Sequence, residues 1–234
     1  MADDTESLYD EIVESKAYQV RLRMQVLETN YYVFDRNYQD FIRLIGAVEH
    51  PDSFSKVWTS DKKSVMQSVL SEIARLLQNL VAAESLVEHI RNLMNDWYKD
   101  SVFLGQYQHE VSRRFGDSQR VKFVEDLRNY CLHFRLPPVA GQFEIRQEND
   151  VPIQMIMLDK AELLTWDGWT ANAKQFLAAS DDRIRLGEVA KQYHSEVTEF
   201  YQWMRLQIAK RHATELEWLD ENLQRYQRVK QGGH

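Results

Sequence analysis

The chain of 234 residues contains little glycine and proline and only one cysteine. Its eight glycines and four prolines are no more than about half the usual share, so few positions interrupt a helix and long helices are expected. A single cysteine cannot form an internal disulfide or a cysteine-based zinc site, which excludes a secreted disulfide scaffold and favours a reducing compartment. The longest apolar runs span about five residues, against the 18 or more of a membrane helix. These absences predict a cytoplasmic protein without a membrane partner.

The chain does contain enough apolar residues for a core, since 44% of them are hydrophobic and 28% are charged. The net charge of −7 supports solubility and disfavours broad attraction to nucleic acid, but it does not exclude a local basic site that binds nucleic acid. Composition therefore indicates a folded protein and does not name its function.

The N-terminal region carries a heptad pattern, with apolar side chains spaced alternately four and three positions apart. These residues are Val13, Ala17, Val20, Met24, Leu27, Tyr31, Phe34, Tyr38, Phe41, Ile45 and Val48. The spacing predicts one long helix, over residues 6–49, that packs at a shallow angle on a partner helix. It would be on the order of 65 Å long. We therefore expect it to bend or split, near Asn30 or Gly46, or to pair with another element or another copy of the chain.

Helical periodicity continues, with interruptions, as far as two consecutive prolines. The expected helices run from Ser60 or Asp61 to Trp97, from Val102 to Phe115 with Gly116 as C-cap, and from Asp117 or Ser118 to Phe134 or Arg135. Pro137 and Pro138 end the last of them, because proline cannot donate the helical hydrogen bond.

After the prolines the apolar period changes to two. Phe143 and Ile145 alternate with polar residues, and a second alternating run follows Asn149 and Asp150, which predicts a β-hairpin with its turn at those two residues. Short helices are then expected near residues 159–166 and 169–177, followed by a long final helix capped at residues 180–182.

The predicted architecture is an all-α, long-helix bundle with a small β-hairpin insertion. Residues 1–136 form its helical region, residues 137–158 form the hairpin, and residues 159–234 form C-terminal helices that pack on the same body.

Common catalytic motifs are absent from the sequence. It contains no Gly-rich phosphate loop, no Gly-x-Ser-x-Gly elbow, no Cys-x-x-Cys and no His-Glu-x-x-His. In the pairs Glu49–His50, Glu88–His89 and His109–Glu110 the acid and the histidine are adjacent in sequence, so their side chains leave a helix about 100° apart and cannot share a ligand. We predict no metal and no cofactor. A metal or cofactor enzyme whose site is built from distant residues is a third hypothesis, weaker than the two that are described below.

One segment, Leu127 to His133, stands out. Arg128 is followed directly by Asn129 and, five positions on, by His133. Four arginines in the chain have a histidine five to seven positions later, and only Arg128 is followed by an amide. This pattern resembles the signature of the HEPN superfamily, small all-α proteins that include metal-independent ribonucleases. The resemblance covers the motif and its helical setting, about half of the chain.

The resemblance implies a catalytic role for each of the three residues. His133 would transfer protons during attack of an RNA 2′-hydroxyl on the adjacent phosphate, since imidazoles exchange protons near neutral pH. Arg128 would hold and neutralise the phosphate, whose oxygens match a guanidinium bidentately. Asn129 would orient Arg128, His133 or a phosphate oxygen. Such family members resemble toxins and defence effectors, so the expected partners are RNA and either a protein antitoxin or another helical protein.

Positive charge is concentrated around this motif. Residues 112–135 contain six Arg or Lys and three acids, a net charge of 6 − 3 = +3, which leaves −7 − 3 = −10 for the remainder. The candidate RNA-binding residues are Arg113, Arg114, Arg120, Lys122 and Arg135.

Helix geometry constrains how the motif can work. Arg128 and His133 lie about 140° and 7.5 Å apart on an ideal helix, whereas Asn129 and His133 share a face. A joint site therefore needs either a helix that loosens before Pro137 or a second copy of the motif. Because HEPN ribonucleases use paired protomers, the resemblance implies a homodimer.

Each residue also has a structural interpretation. Arg128 would pair with Glu125 or with an acid of another helix, and His133 would be favoured as a cation by the end of its helix. Cys131 would be a small core residue. The second hypothesis is accordingly a noncatalytic helical interaction or scaffold protein, which contacts a helical partner through the exposed side of its long helices.

Overall fold

The computed structural model describes residues 2–53, 63–82, 85–145 and 152–232. Within them lie ten α-helices and one antiparallel sheet of three strands, which confirms the all-α class with a small β insertion. The helices are α1 (Ala2–Glu14), α2 (Lys16–Glu49), α3 (Lys63–Ala82), α4 (Ser85–Trp97), α5 (Val102–Val111), α6 (Gln119–His133), α7 (Lys160–Leu163), α8 (Ala171–Ala179), α9 (Leu186–Arg211) and α10 (Ala213–Gly232). The strands are β1 (Val139–Ile145), β2 (Pro152–Asp159) and β3 (Arg183–Arg185). None of the described helices is long and apolar enough to cross a bilayer.

The predicted N-terminal helix is divided at Ser15. The Ser15 hydroxyl donates to the Ile12 carbonyl (2.6 Å) and accepts from the N–H of Tyr18 (3.0 Å), so one side chain ends α1 and caps α2. The helix α2 is continuous through Asn30 and Gly46, so a split at either of those residues is wrong. Of the eleven heptad residues, seven are buried and four are half-buried, which confirms the apolar seam.

The later helices lie close to the ranges that the sequence predicts. Ser118 caps α6 as predicted, with its side chain accepting from the N–H of Val121. A π-helical turn over Ser112–Gly116 extends α5. The helix expected to end at Trp97 corresponds to α3 and α4; residues 83–84 and the predicted start at Ser60 or Asp61 lie outside the described residues. The final helix is divided as well, because α9 ends beside His212 and α10 begins after it.

The hairpin is present, and a third strand joins it. In β1 and β2, Val139 pairs with Leu158 and Gly141 pairs with Ile156, while the predicted turn at Asn149 and Asp150 lies outside the described residues. On the other side of β2, Leu158 pairs with Ile184 of β3. The expectation that residues 180–182 cap the last helix is therefore wrong, because β3 intervenes before α9. Three residues are too few to show an alternating pattern.

The chain divides into two compact units. The first comprises residues 1–31 and 199–234, that is α1, the first half of α2, the second half of α9, and α10. Its core is formed by Leu8, Ile12, Ala17 and Leu219. Ion pairs cross between its helices, and they join Lys16 to Glu215, Arg21 to Asp220 and Arg205 to Glu28.

The second unit comprises residues 32–198 and contains the motif helix α6. Its interior includes an aromatic cluster between α6 and the segment that leads to α8. Trp169 is buried, stacks on Phe123 (5.4 Å between centroids) and donates its indole N–H to the Leu163 carbonyl (2.9 Å). Trp166 meets Trp169 edge to face at 4.9 Å. This cluster fixes the loop before α8 against α6.

Gly168 has no room for a side chain inside this cluster. A Cβ placed there would lie 2.3 Å from the ring of Trp166. We expect Gly168→Ala to lower the free energy of unfolding by about 1–3 kcal/mol, because the packed indole must move. Chemical denaturation measures the change. Gly105→Ala is the control, since a Cβ there meets nothing within 4 Å and alanine stabilises a helix interior. Equal stability of the two variants would contradict the close packing of Trp166.

Candidate functional site

The helix α6 carries the motif, and one side of this helix is buried in the protein interior. Its buried arc consists of Val121, Phe123, Val124, Asp126, Leu127, Tyr130 and Cys131. The helix ends at His133, where the N–H groups of Phe134 and Arg135 both donate to the Tyr130 carbonyl. Pro137 follows shortly and disfavours helical backbone before it.

Asp126 attaches the buried arc to α8. Its side chain is 5% exposed, and its Oδ2 accepts from both the backbone N–H (2.7 Å) and the hydroxyl (2.8 Å) of Thr170. Thr170 is itself the N-cap of α8, accepting from the N–H of Ala173. A buried carboxylate with two donors is satisfied, so the orientation of α6 relative to α8 is specified.

The motif residues lie on the remaining arc of α6. His133 is exposed, and Arg128 and Asn129 are half-buried, with the Arg128 Nε atom closed off from solvent. The α-helix is continuous from Arg128 to His133, so these two side chains leave it about 140° apart, at opposite edges of the outer arc. Asn129 and His133 share a face one turn apart. The structure therefore groups Asn129 with His133, and places Arg128 across the arc from them.

Two of the predicted RNA-binding residues, Arg113 and Arg114, bind the same carboxylate. Arg113 donates Nε and Nη2 to Glu110 (2.8 and 2.7 Å), and the Nε of Arg114 also reaches Glu110 (2.6 Å). The hydrogen bonds from Arg113, with those from Arg114, lower the pKa of Glu110 to about 2. One carboxylate just outside the basic stretch therefore binds both guanidiniums and offsets one of their two positive charges.

The other three predicted RNA-binding cations are also in ion pairs. Their partners are Glu196 for Arg120 (2.8 Å), Glu125 for Lys122 (2.6 Å) and Glu162 for Arg135 (3.1 Å). Three of the carboxylates, at positions 110, 162 and 196, come from outside residues 112–135, so they offset the local charge of +3. Such partly exposed pairs contribute about 0–1 kcal/mol each. A phosphate can therefore compete for these cations at a modest cost.

Arg135 makes the most contacts of the five. Its Nε donates to the Tyr130 hydroxyl (2.7 Å), its Nη2 donates to the Glu162 carbonyl and the Thr165 hydroxyl, and its guanidinium lies 4.9 Å from the centroid of the Phe134 ring. These contacts hold the end of α6 on α7 and the residues that follow it.

Cys131 lies between the motif residues in sequence but faces the core. Burial raises the pKa of its thiol to about 12, so the reactive thiolate form is disfavoured. This agrees with its interpretation as a small core residue.

The sequence interpretation missed an apolar surface beside the motif. Leu132, Phe134 and Leu136 are 45%, 46% and 54% exposed. A signal was available, because Leu132 falls on the arc of α6 opposite the buried residues and the other two follow the end of the helix. We call these three residues the apolar rim.

The contacts of Arg135 predict a structural role that can be measured without RNA. We expect Arg135→Ala to lower the free energy of unfolding by about 1 kcal/mol, because the Tyr130 hydroxyl and Glu162 lose their partner. Arg43→Ala is the matched control, since the ion pair that Arg43 forms among the described residues is with Asp40 of its own helix, on an exposed surface. Urea denaturation compares the two. Equal stability would show that the Arg135 contacts contribute nothing to folding.

Comparisons with known proteins identify no relative, since no family model, no curated protein and no solved structure matches this chain. The likeness to HEPN proteins therefore rests on Arg128, Asn129 and His133 in their helical setting.

Proposed function

We propose that this protein is a HEPN-like, metal-independent endoribonuclease whose site is the outer arc of α6. The observation that carries the proposal is the position of His133, exposed at the end of α6 and on one face with Asn129. A motif histidine packed in the core would leave no access for RNA. The proposed role is that of a toxin or defence effector, with a protein antitoxin as its regulator.

The chemistry requires no group outside the chain and its RNA. The 2′-hydroxyl oxygen attacks phosphorus, its proton passes to a base, and the bond to the 5′-oxygen breaks as that oxygen receives a proton. The products are a 2′,3′-cyclic phosphate and a 5′-hydroxyl. His133 transfers protons, Arg128 neutralises charge that develops on the phosphate oxygens, and Asn129 orients the phosphate.

A second copy of the chain completes the proposed site. Because Arg128 and His133 leave α6 about 140° apart, one protomer does not direct both at the same phosphate. Two outer arcs that face each other across a two-fold axis bring Arg128 of one copy towards His133 of the other. The apolar rim lies at the end of this arc and gives such a pair apolar area to bury.

Cleavage of RNA in excess EDTA tests the proposal. We expect a panel of structured and transfer RNAs to be cut to 2′,3′-cyclic phosphate ends, and His133→Ala to lower the rate about 10²- to 10⁴-fold with an unchanged melting temperature. His109→Ala, at an exposed histidine of α5, is the control and keeps full activity. Intact RNA after incubation with the wild-type protein, or an equal loss in the two variants, would overturn the ribonuclease.

A noncatalytic helical interaction protein is the second candidate. It is favoured by the combination of an exposed apolar rim with five neighbouring cations that already have carboxylate partners. Exposed apolar side chains next to each other are typical of protein contacts. In this alternative the arc of α6 recognises a second copy or a helical partner, and Arg128 and Asn129 are polar members of that contact.

Oligomeric state tests the role of the rim. We expect light scattering to give about twice the 27.8 kDa chain mass, and Leu132→Lys to halve it, because a charge replaces buried apolar area. Val102→Lys is the control, since Val102 is the most exposed large apolar residue among those described, at 82%, and lies on α5. A wild-type monomer at tens of micromolar would remove the shared site and the rim contact between two copies of the chain.

A further inference from the structure

A cavity of about 640 Å³ lies over one face of the sheet, away from the residues of the motif. Its walls are the end of α8, the loop that leads to β3, and the first turns of α9, all within the unit of residues 32–198. The volume falls within the range of about 300–1,000 Å³ that small-molecule sites occupy. Neither proposed function uses this cavity.

The floor of the cavity is apolar and adaptable. Met155 and Met157 lie two positions apart on β2 and point to the same face of the sheet. Phe176 of α8 adds a ring to this floor. Methionine side chains adjust to apolar groups of varied shape, so the floor suits aliphatic side chains without selecting one.

Arg185 supplies a cation that can be released to a ligand. It pairs with Met157 across β2 and β3, so it lies on the same face as the floor. It forms an ion pair with Glu188 (3.2 Å) and also attracts the Glu49 carboxylate; the Arg185 and Glu188 side chains are 53% and 64% exposed. An exposed pair of this kind contributes little. The neighbouring Arg183 is engaged differently, since it pairs with Asp159, which also caps α7.

Two carboxylates provide the opposite charge. Asp181 and Asp182 are exposed, line the cavity, and form no ion pair with any described residue. The amine of Lys160 is directed elsewhere, since it donates to the Ser180 carbonyl (2.7 Å). Arg183 and Arg185 are ion-paired with Asp159 and Glu188. Among the described residues, Asp181 and Asp182 are therefore the carboxylates of the cavity wall whose charge is not compensated by an ion pair.

We propose that this cavity binds a short apolar peptide with free termini. Its ammonium group pairs with Asp181 and Asp182, its carboxylate displaces Glu188 from Arg185, and its side chains lie on Met155, Met157 and Phe176. Asp182 and Arg185 are three residues apart, which places their Cα atoms at most about 10 Å from each other. An extended tripeptide has about this length.

Calorimetric titration of the full chain with the tripeptide Ala-Leu-Ala tests this site. We expect binding of the free tripeptide, and about fivefold weaker binding of each form that lacks one charge, the N-acetylated peptide and the C-terminal amide. Arg185→Gln should remove the difference between the free and amidated peptides only. The double change Asp181→Asn and Asp182→Asn should remove the difference between the free and acetylated peptides only. Arg43→Gln, which alters an exposed arginine outside the cavity, leaves all three affinities unchanged.

Three results would overturn the proposal: no binding of Ala-Leu-Ala at millimolar concentration, equal affinity for the three peptides, or an Arg185→Gln variant that still discriminates against the amide. RNA cleavage is not part of this readout, so failure of the peptide site and failure of the ribonuclease are seen separately.

Discussion

The helical repeat of α6 is the constraint on which the candidate site depends. The helix buries the arc from Val121 to Cys131, and Asp126 fixes that arc by accepting two hydrogen bonds from the cap of α8. Because this arc packs in the core, the other positions of α6 lie on its outer surface. His133 and Asn129 are exposed or half-buried together for this reason, and Arg128 is directed to the opposite edge.

The same constraint explains why one chain does not complete the site of the proposed ribonuclease. A regular helix separates positions five apart by about 140°, and α6 stays regular as far as His133. Any function that uses Arg128 and His133 on one phosphate requires a second arc. A function that uses the arc as a contact surface does not, and the apolar rim serves either case. The two proposed functions therefore share a surface and differ in whether chemistry occurs there.

Charge is distributed differently in the folded chain than along the sequence. The basic stretch around the motif is matched by Glu110, Glu162 and Glu196, of which the last two are brought from α7 and α9. The net effect is a nearly neutral surface with exchangeable ion pairs. The cavity beside β3 shows the reverse, because its two arginines are ion-paired while Asp181 and Asp182 form no ion pair within the described part of the chain. Local charge counts in the sequence identify neither situation.

The sequence alone was sufficient for the features that depend on neighbours along the chain. The heptad seam of α2, the Ser118 cap, the end of α6 before Pro137 and the hairpin all follow from local periodicity, capping and proline chemistry. It was not sufficient for β3, whose three residues form a strand only because β2 offers them an edge, or for the break at Ser15, where one hydroxyl serves two helices. The partners of Arg120 and Arg135 and the lining of the cavity were decided by tertiary structure. These features join residues that are tens of positions apart, and no local sequence pattern shows which distant side chain will contact a given residue.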